Sequence, residues 1–92
     1  MRNVRVHVFI EGRVQGISYR YWTKKTASSL GLTGWVKNLA GGRVEAVFEG
    51  QKKEVEQMIK KCRRGPILAG VKHIDIVWED ATGEFKNYEI VA

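Results

Sequence analysis

The spacing of apolar residues changes along this chain in a fixed order, and that order limits the possible folds more than any other feature of the sequence. An alternation with period two comes first, as in a strand with one face on a core. A helical period follows, then two alternating segments, a second helical segment and two final alternating segments. The predicted strands cover residues 4–11, 32–38, 43–49, 71–79 and 85–91, and the predicted helices cover residues 19–30 and 52–64.

This order contains two β-α-β units joined by a hairpin, for which Gly41-Gly42 is a two-residue turn signal. Right-handed crossovers put both helices on the same face of one sheet. The sequence therefore predicts an α+β fold, a ferredoxin-like split β-α-β sandwich with the order βαββαβ plus a short terminal strand. We expect an antiparallel sheet with two helices on one face, and a single domain over residues 1–92, since this length supports one core.

The same periodicities assign the core. Gly31 is expected to end the first helix in the left-handed conformation. On the first strand, Val4, Val6, Val8 and Ile10 are predicted to face the core, opposite Arg5, His7, Phe9 and Glu11. The predicted buried residues elsewhere are Tyr19, Trp22, Thr26, Ala27 and Leu30 on the first helix, Val55, Met58, Ile59 and Cys62 on the second, and Ile74, Ile76 and Trp78 on the fourth strand.

Charge and cysteine content restrict the function further. Sixteen Lys and Arg residues against ten Asp and Glu residues give a net charge of +6, which favours anionic ligands. No apolar run approaches the roughly 20 residues of a membrane span, and the first residues lack the pattern of a signal peptide, so we expect a cytoplasmic protein without a membrane partner. One cysteine cannot form an intramolecular disulfide, and it excludes a metal site with two thiolates.

The histidines and the cysteine, residue types often used in catalysis, do not indicate a catalytic or metal site in this sequence. His7 and His73 are interpreted as surface residues of the sheet, and Cys62 as a buried small hydrophobic residue. No spacing of His, Cys and carboxylate residues indicates a metal site. Neither of the common glycine-rich nucleotide-binding motifs is present.

The segment from Gly12 to Arg20 joins a strand to the start of a helix. Unpaired amides and the helix dipole favour an anion there, and glycines allow successive amides to converge on it. Arg20 could close over the same anion with its planar guanidinium. These features describe a cradle for a phosphoryl group. A tight connection and a solvated arginine in the first helical turn would explain the same residues.

Asn38 ends a predicted strand immediately before the hairpin. Its carboxamide offers an acceptor and two donors without a net charge, which suits a residue that holds a water beside an anion. An asparagine that bonds its own backbone in a turn is the alternative.

Two long motifs resemble the signatures of the acylphosphatase family. The first is Ile10-Glu11-Gly12-Arg13-Val14-Gln15-Gly16-Ile17-Ser18-Tyr19-Arg20. The second is Gly34-Trp35-Val36-Lys37-Asn38-Leu39-Ala40-Gly41-Gly42-Arg43-Val44, followed by Gly50. Gly65-Pro66, Ala69 and Val71 are similar to the helix-to-strand turn of the family. Ile17, Tyr19 and Gly41 depart from its commonest residues, and Gly41 is expected to loosen the turn beside Asn38.

This resemblance, which extends from Val4 to Ala92, implies hydrolysis of the carboxyl–phosphate bond of acyl phosphates to a carboxylate and inorganic phosphate. It implies that Arg20 binds the phosphoryl group and that Asn38 positions the attacking water. The backbone amides of Gln15, Gly16, Ile17, Ser18 and Tyr19 would complete the cradle. The leaving carboxylic acid has a pKa of about 4, so it needs no general acid at neutral pH. We therefore expect no metal and no cofactor.

A non-catalytic protein on the same scaffold is opposed by the presence of both Arg20 and Asn38. Two further alternatives stay open at this stage. The first is a variant specific for carbamoyl phosphate, as in acylphosphatase-like domains of larger maturation proteins. The second is an RNA-binding module of the same fold, which would need exposed aromatic residues on the central strands. If Glu45 and Glu49 mark the open face, the third strand offers no aromatic residue there and repels RNA. We expect a monomer that acts on a small acyl phosphate and has no nucleic-acid partner.

Overall fold

The computed structural model describes residues 2–92, and these residues form one five-stranded sheet covered on one face by two helices. The elements are β1 (Asn3–Arg13), α1 (Tyr19–Ser29), β2 (Thr33–Asn38), β3 (Val44–Gln51), α2 (Lys52–Arg64), β4 (Gly70–Asp80) and β5 (Tyr88–Ile90). The strand order in the sheet is β4-β1-β3-β2-β5. Within residues 2–92, neither helix has the length and apolar character of a membrane span.

The core lies between the sheet and the helices, as the alternation predicts. Val8 pairs with Ala46 on β3 and with Ile76 on β4, so three strands contribute adjacent side chains to the same face. The helices cover this face through Ala27 on α1 and Met58 on α2, both fully buried. Fold class and helix placement are thus confirmed, and α2 has the predicted bounds.

The first strand is longer than its alternation predicts. Gly12 and Arg13 were expected in a loop, but after a bulge at Glu11 they pair with Val71 and Gly70 of β4. Gly12 has a φ of 129°, and a Cβ there would lie 2.2 Å from the carbonyl oxygen of Gly70. Only glycine allows this approach, which carries β1 to the edge where the loop before α1 begins.

Helix α1 ends at Ser29, one residue before the predicted bound. Gly31 adopts the left-handed conformation, as expected, and the amide of Leu32 donates to the carbonyl of Ala27 in a Schellman arrangement. The buried residues of the helix are Tyr19, Thr23 and Ala27, which are four positions apart. Thr23 was not among the predicted core residues. The predicted stripe residues Trp22, Thr26 and Leu30 are only half-buried.

The C-terminal region differs most from the predictions. Strand β5 covers three residues rather than 85–91, and it pairs in parallel with β2, so the sheet is antiparallel only in its other four strands. The connection from β4 to β5 crosses from one edge of the sheet to the other. Residues that were predicted to belong to the last strand lie in this connection instead. Trp78, predicted to lie in the core, is 48% exposed because β4 is an edge strand.

The sheet face opposite the helices carries charged and aromatic residues. His7 stacks on Phe9 with ring centroids 4.8 Å apart, contacts Trp35 edge-on and lies 2.6 Å from a carboxylate oxygen of Glu45. The guanidinium of Arg43 lies over the Phe9 ring. His7 is therefore a residue of the open face, as predicted, and this face contains aromatic residues from β1 and β2 as well as the carboxylate on β3.

Candidate active site

A small cleft opens at the end of the sheet where β1 and β2 both finish. It has a volume of about 370 Å³ and lies between the loop after β1, the first turn of α1, and the ends of β2 and β5. Three chain segments that are distant in the sequence meet here, because β1, β2 and β5 all run in the same direction. The cleft is lined by Val14, Gly16, Ser18, Tyr19, Arg20, Tyr21, Asn38 and Ile90.

The loop before α1 contains two residues with positive φ. Gly16 has a φ of 76°, and Ser18, at the N-cap, has φ 65° and ψ 24°. Ser18 is the only non-glycine residue with positive φ among residues 2–92, and its side chain makes no capping hydrogen bond. The first turn contains no acidic residue, so no carboxylate competes for the helix N-terminus. The loop and the turn can therefore present backbone amides to an anion.

Arg20 supplies the positive charge of the cleft. It is exposed, and none of the ion pairs or side-chain hydrogen bonds among residues 2–92 involves it. Its guanidinium is thus free to bind a ligand through two parallel N–H groups.

The backbone at Arg20 is held in place by its neighbour Tyr19. The Tyr19 side chain is buried, and its hydroxyl donates a 2.7 Å hydrogen bond to the carbonyl oxygen of Cys62. Burial raises the pKa of the phenol well above its ordinary value, so the hydroxyl remains a donor. Gly65 lies against the ring, where a Cβ would approach a ring carbon to 2.8 Å.

Asn38 contributes a polar group from the other side of the cleft. It is the last residue of β2 and pairs with Val44 at the start of β3. Its Oδ1 atom is buried and has no hydrogen-bond partner among residues 2–92. Buried polar atoms in proteins are almost always hydrogen-bonded. An acceptor left free at a cleft beside a cation suits a group that orients a small polar molecule.

Gln15 connects the loop to the β2–β3 hairpin. Its side-chain nitrogen donates to the carbonyl oxygens of Leu39, at 2.8 Å, and Arg43, at 2.9 Å. The sequence analysis considered only the backbone amide of this residue. The hydrogen bonds span 24 and 28 positions of the chain, so no local sequence signal could have indicated them.

The structure brings most of the predicted site residues together. Arg20, Asn38, Gly16, Ser18 and Tyr19 line one cleft. Gln15 and Ile17 do not line it, and Ile17 is half-buried against the core, so only their backbones are candidates for the cradle.

Three residues of the cleft were not among the predicted site residues. Val14 and Tyr21 adjoin predicted site residues in the chain, and that proximity was an available signal. Ile90 enters from β5, and only the parallel pairing of β5 with β2 places it there.

Two other clefts also contain charged groups. The cleft beside Trp78, of about 670 Å³, is lined by the carboxylates of Glu56, Glu79 and Asp80 as well as by Arg2 and Lys52, a mixture that suits an anion less well. A cleft of about 560 Å³ is lined by Lys60, Lys61 and Arg64 without a carboxylate, but unlike the cleft of Arg20 it includes no loop at a helix N-terminus. Cys62 is buried as predicted, and burial raises the pKa of its thiol to about 12. Among residues 2–92, no three His, Cys, Asp or Glu side chains lie close enough together to hold a metal ion.

The fold and the cleft together define a class of protein. It is a ferredoxin-like α+β protein in which a glycine-containing loop and an arginine lie at a helix N-terminus. The acylphosphatase family model matches residues 6–90, and the chain belongs to this family. An acylphosphatase from Trichormus variabilis is 52% identical over 87 residues, which are 95% of this chain and 85% of that protein. The function of the chain is accordingly that of an acylphosphatase, a hydrolase.

Solved structures agree with this assignment. The crystal structure of acylphosphatase from Bacillus subtilis superposes with a TM-score of 0.93 at 28% identity, covering 97% of this chain and 99% of that one. Full-length HypF, in a phosphate- and nucleotide-bound form, matches with a TM-score of 0.89 at 26% identity. The match covers 99% of this chain but only 12% of HypF.

Proposed function

We propose that this enzyme hydrolyses the carboxyl–phosphate bond of small acyl phosphates at the cleft formed by Arg20 and Asn38. Arg20 binds the phosphoryl oxygens, and the backbone amides of residues 15–19 complete the cradle. Phosphoryl transfer depends mainly on positioning and on neutralising the charge of the equatorial oxygens. Fixed donors of this kind act without reorganising during the reaction.

Asn38 orients the water that attacks phosphorus. Its free Oδ1 can accept a hydrogen bond from that water, and an uncharged amide does not repel the phosphoryl group as a carboxylate would. The water oxygen forms a bond to phosphorus as the bond from phosphorus to the carboxyl oxygen breaks. The carboxylate leaves with the bonding electron pair, and the water proton passes to a phosphate oxygen. The leaving carboxylic acid has a pKa of about 4, so no acid has to protonate it at neutral pH.

One observation carries this mechanism: Arg20, whose guanidinium is unpaired, and Asn38, whose buried amide oxygen is unpaired, line the same cleft at a helix N-terminus. Neither group has a partner among residues 2–92 that would explain it structurally.

The test is hydrolysis of benzoyl phosphate at neutral pH with EDTA present. The variants are Arg20→Ala, Asn38→Ala and, as a matched control, Arg63→Ala, which removes an exposed arginine of α2 outside the cleft. We expect turnover to survive chelation and in the control. Loss of one such donor costs about 10²–10³ in rate, so Arg20→Ala should lose at least this much kcat/KM. Asn38→Ala should lower kcat more than it raises KM. Undiminished turnover in Arg20→Ala, or loss of turnover with EDTA, would contradict the mechanism.

The same assay addresses the substrate class. We propose that the enzyme acts in the cytoplasm as a monomeric single domain on small acyl phosphates, with no nucleic-acid partner. Glu45 places a carboxylate beside the aromatic residues of the open sheet face, which disfavours RNA there, and buried Cys62 fits a reducing compartment. Carbamoyl phosphate and acetyl phosphate should be hydrolysed alongside benzoyl phosphate. If carbamoyl phosphate is the only one of these substrates that is hydrolysed, the protein is the carbamoyl-phosphate-specific alternative.

A further inference from the structure

We infer that the side chain of Gln15 is a positioning residue of this active site: it holds the β2–β3 hairpin, and with it Asn38, against the phosphate loop. This inference rests on the proposed roles of the loop and of Asn38. It assigns to Gln15 a side-chain task that is separate from any contribution of its backbone amide.

The hydrogen bonds of Gln15 close the turn that follows Asn38. Within the turn, the amide of Leu39 donates to the carbonyl of Arg43 at 2.8 Å, and the amide of Gly42 donates to the carbonyl of Leu39 at 3.3 Å. The side-chain nitrogen of Gln15 donates to these same two carbonyl oxygens. Both of its hydrogens are used, so one carboxamide grips both ends of the turn at once.

Gln15 supplies the side-chain hydrogen bonds of the turn. Besides its own two backbone hydrogen bonds, the turn is held by the Asn38–Val44 strand pair and by the Arg43 guanidinium over the Phe9 ring. Among residues 2–92, no other side chain forms a hydrogen bond to residues 38–43. Gly41 and Gly42 have φ angles of 96° and 103° and lie in open space, and because a glycine pair leaves the backbone flexible, the hydrogen bonds of Gln15 should restrict the position of the turn.

The location of Gln15 gives this contact a catalytic consequence. Gln15 stands between Val14 and Gly16, which line the cleft, and Leu39 directly follows Asn38. A shift of the turn therefore moves the free amide oxygen of Asn38 relative to the phosphoryl cradle. Misplacing a reacting group by about 1 Å can cost about 10²-fold in rate. Gln15 belongs to the loop, but Arg20, the proposed ligand of the phosphoryl oxygens, forms no hydrogen bond with Gln15 or with residues 38–43, so ground-state binding should depend on this contact less.

The experiment measures kcat and KM for benzoyl phosphate in Gln15→Met and Gln15→Glu. Methionine keeps the length of the side chain without its donors, and glutamate places a carboxylate oxygen against two carbonyls. Gln57→Met, on the exposed face of α2, is the matched control. Each substitution is also made in an Asn38→Ala background. Urea unfolding establishes that every variant is folded at the assay temperature.

We expect kcat to fall by roughly 10- to 100-fold in Gln15→Met and further in Gln15→Glu, with KM within about threefold of the wild-type value. In the Asn38→Ala background the same substitutions should change kcat by less than about threefold, because the group they position is gone.

An unchanged kcat in both folded Gln15 variants would overturn the inference. So would full additivity with Asn38→Ala, which would show that Gln15 acts through the loop or only on stability. If one of the two Gln15 variants does not fold, the change in kcat and its additivity with Asn38→Ala are judged on the other variant. If only the inference about Gln15 fails, the wild-type protein still hydrolyses benzoyl phosphate and Arg20→Ala still loses this activity. If the proposed function fails, either the wild-type protein is inactive or Arg20→Ala remains active.

Discussion

The hydroxyl of Tyr19 donates a 2.7 Å hydrogen bond to the carbonyl oxygen of Cys62, and this bond joins the first turn of α1 to the last turn of α2. The carbonyls of a final helical turn have no intrahelical donor, so Tyr19 satisfies one that is buried. The residue after Tyr19 is Arg20. The anchor that fixes the backbone of the proposed phosphate-binding arginine is therefore a buried contact between the two helices.

Replacing Tyr19 by Phe should destabilise the protein by about 1–3 kcal/mol, because it leaves a buried carbonyl without its donor. Urea unfolding at neutral pH measures the change. Tyr21→Phe is the matched control, since Tyr21 is 63% exposed and its hydroxyl has no protein partner among residues 2–92. Equal free energies of unfolding for wild type and Tyr19→Phe would show that the bond contributes nothing.

Inorganic phosphate should raise the melting temperature of the wild-type protein. A ligand at ten times its Kd stabilises the folded state by about 1.4 kcal/mol, which corresponds to several degrees for a domain of this size. Arg20→Ala should lose most of this shift, and Asn38→Ala should keep most of it, because in the proposed mechanism the arginine binds the anion and the asparagine orients water. A full shift in Arg20→Ala would place the phosphate elsewhere.

Glu49 should make stability depend on pH in the acidic range. Burial of this carboxyl opposes ionisation, but hydrogen bonds from the Arg5 guanidinium at 2.9 Å and from the amides of Gly83 and Thr82 outweigh it and lower the pKa. The unfolded carboxyl has a pKa of about 4.3, so the stabilisation is complete above that pH and is lost as the pH falls through the lower folded value.

In Glu49→Gln, the decline in unfolding free energy between pH 5 and 3 should be shallower, and stability at pH 7 should drop by about 1–3 kcal/mol. Glu84→Gln, at an exposed partner of Arg5, should retain most of the acid sensitivity. Identical pH profiles for Glu49→Gln and wild type would assign the acid sensitivity to other carboxyl groups.

Gly34 is the first residue of the second family motif, and the packing around it leaves no room for a side chain. A Cβ there would lie 2.1 Å from the carbonyl oxygen of Val47, and φ is 136°. Gly34→Ala should cost at least about 3 kcal/mol, since a backbone atom has to move. Gly31→Ala, also at positive φ but in open space, should cost only about 1–2 kcal/mol. Thermal unfolding compares the two, and equal losses would mean that the backbone angle alone matters.

The Cys62 thiol should react with a disulfide reagent only after unfolding. Cys62 is buried, and its pKa of about 12 leaves almost no thiolate at pH 8. Absorbance of the released aromatic thiolate, followed with and without urea, gives the two rates. Rapid reaction of the folded protein would show that the helix–sheet interface opens locally.

Local patterns were sufficient for much of this molecule. Apolar spacing predicted α2 from Lys52 to Arg64 without error, because thirteen residues of strong helical periodicity need no distant partner to be identified. Residue type and position made Arg20 and Asn38 candidates for an anion site but left structural explanations open, and their roles were predicted from the resemblance of the two motifs to the acylphosphatase family. The shared cleft follows from the parallel course of β1 and β2, which the β-α-β order already implies.

What the sequence by itself determined is the set of elements and the fold class, and it also indicated the two polar residues of the proposed site. Only the tertiary structure decided that Gln15 joins Leu39 and Arg43, that β5 lies parallel to β2 and brings Ile90 to the cleft, and that Glu49 is buried under the connection to β5. The physical reason is that periodicity records which face a residue presents. Contacts between segments far apart in the chain arise from strand order and register, on which local spacing carries no information.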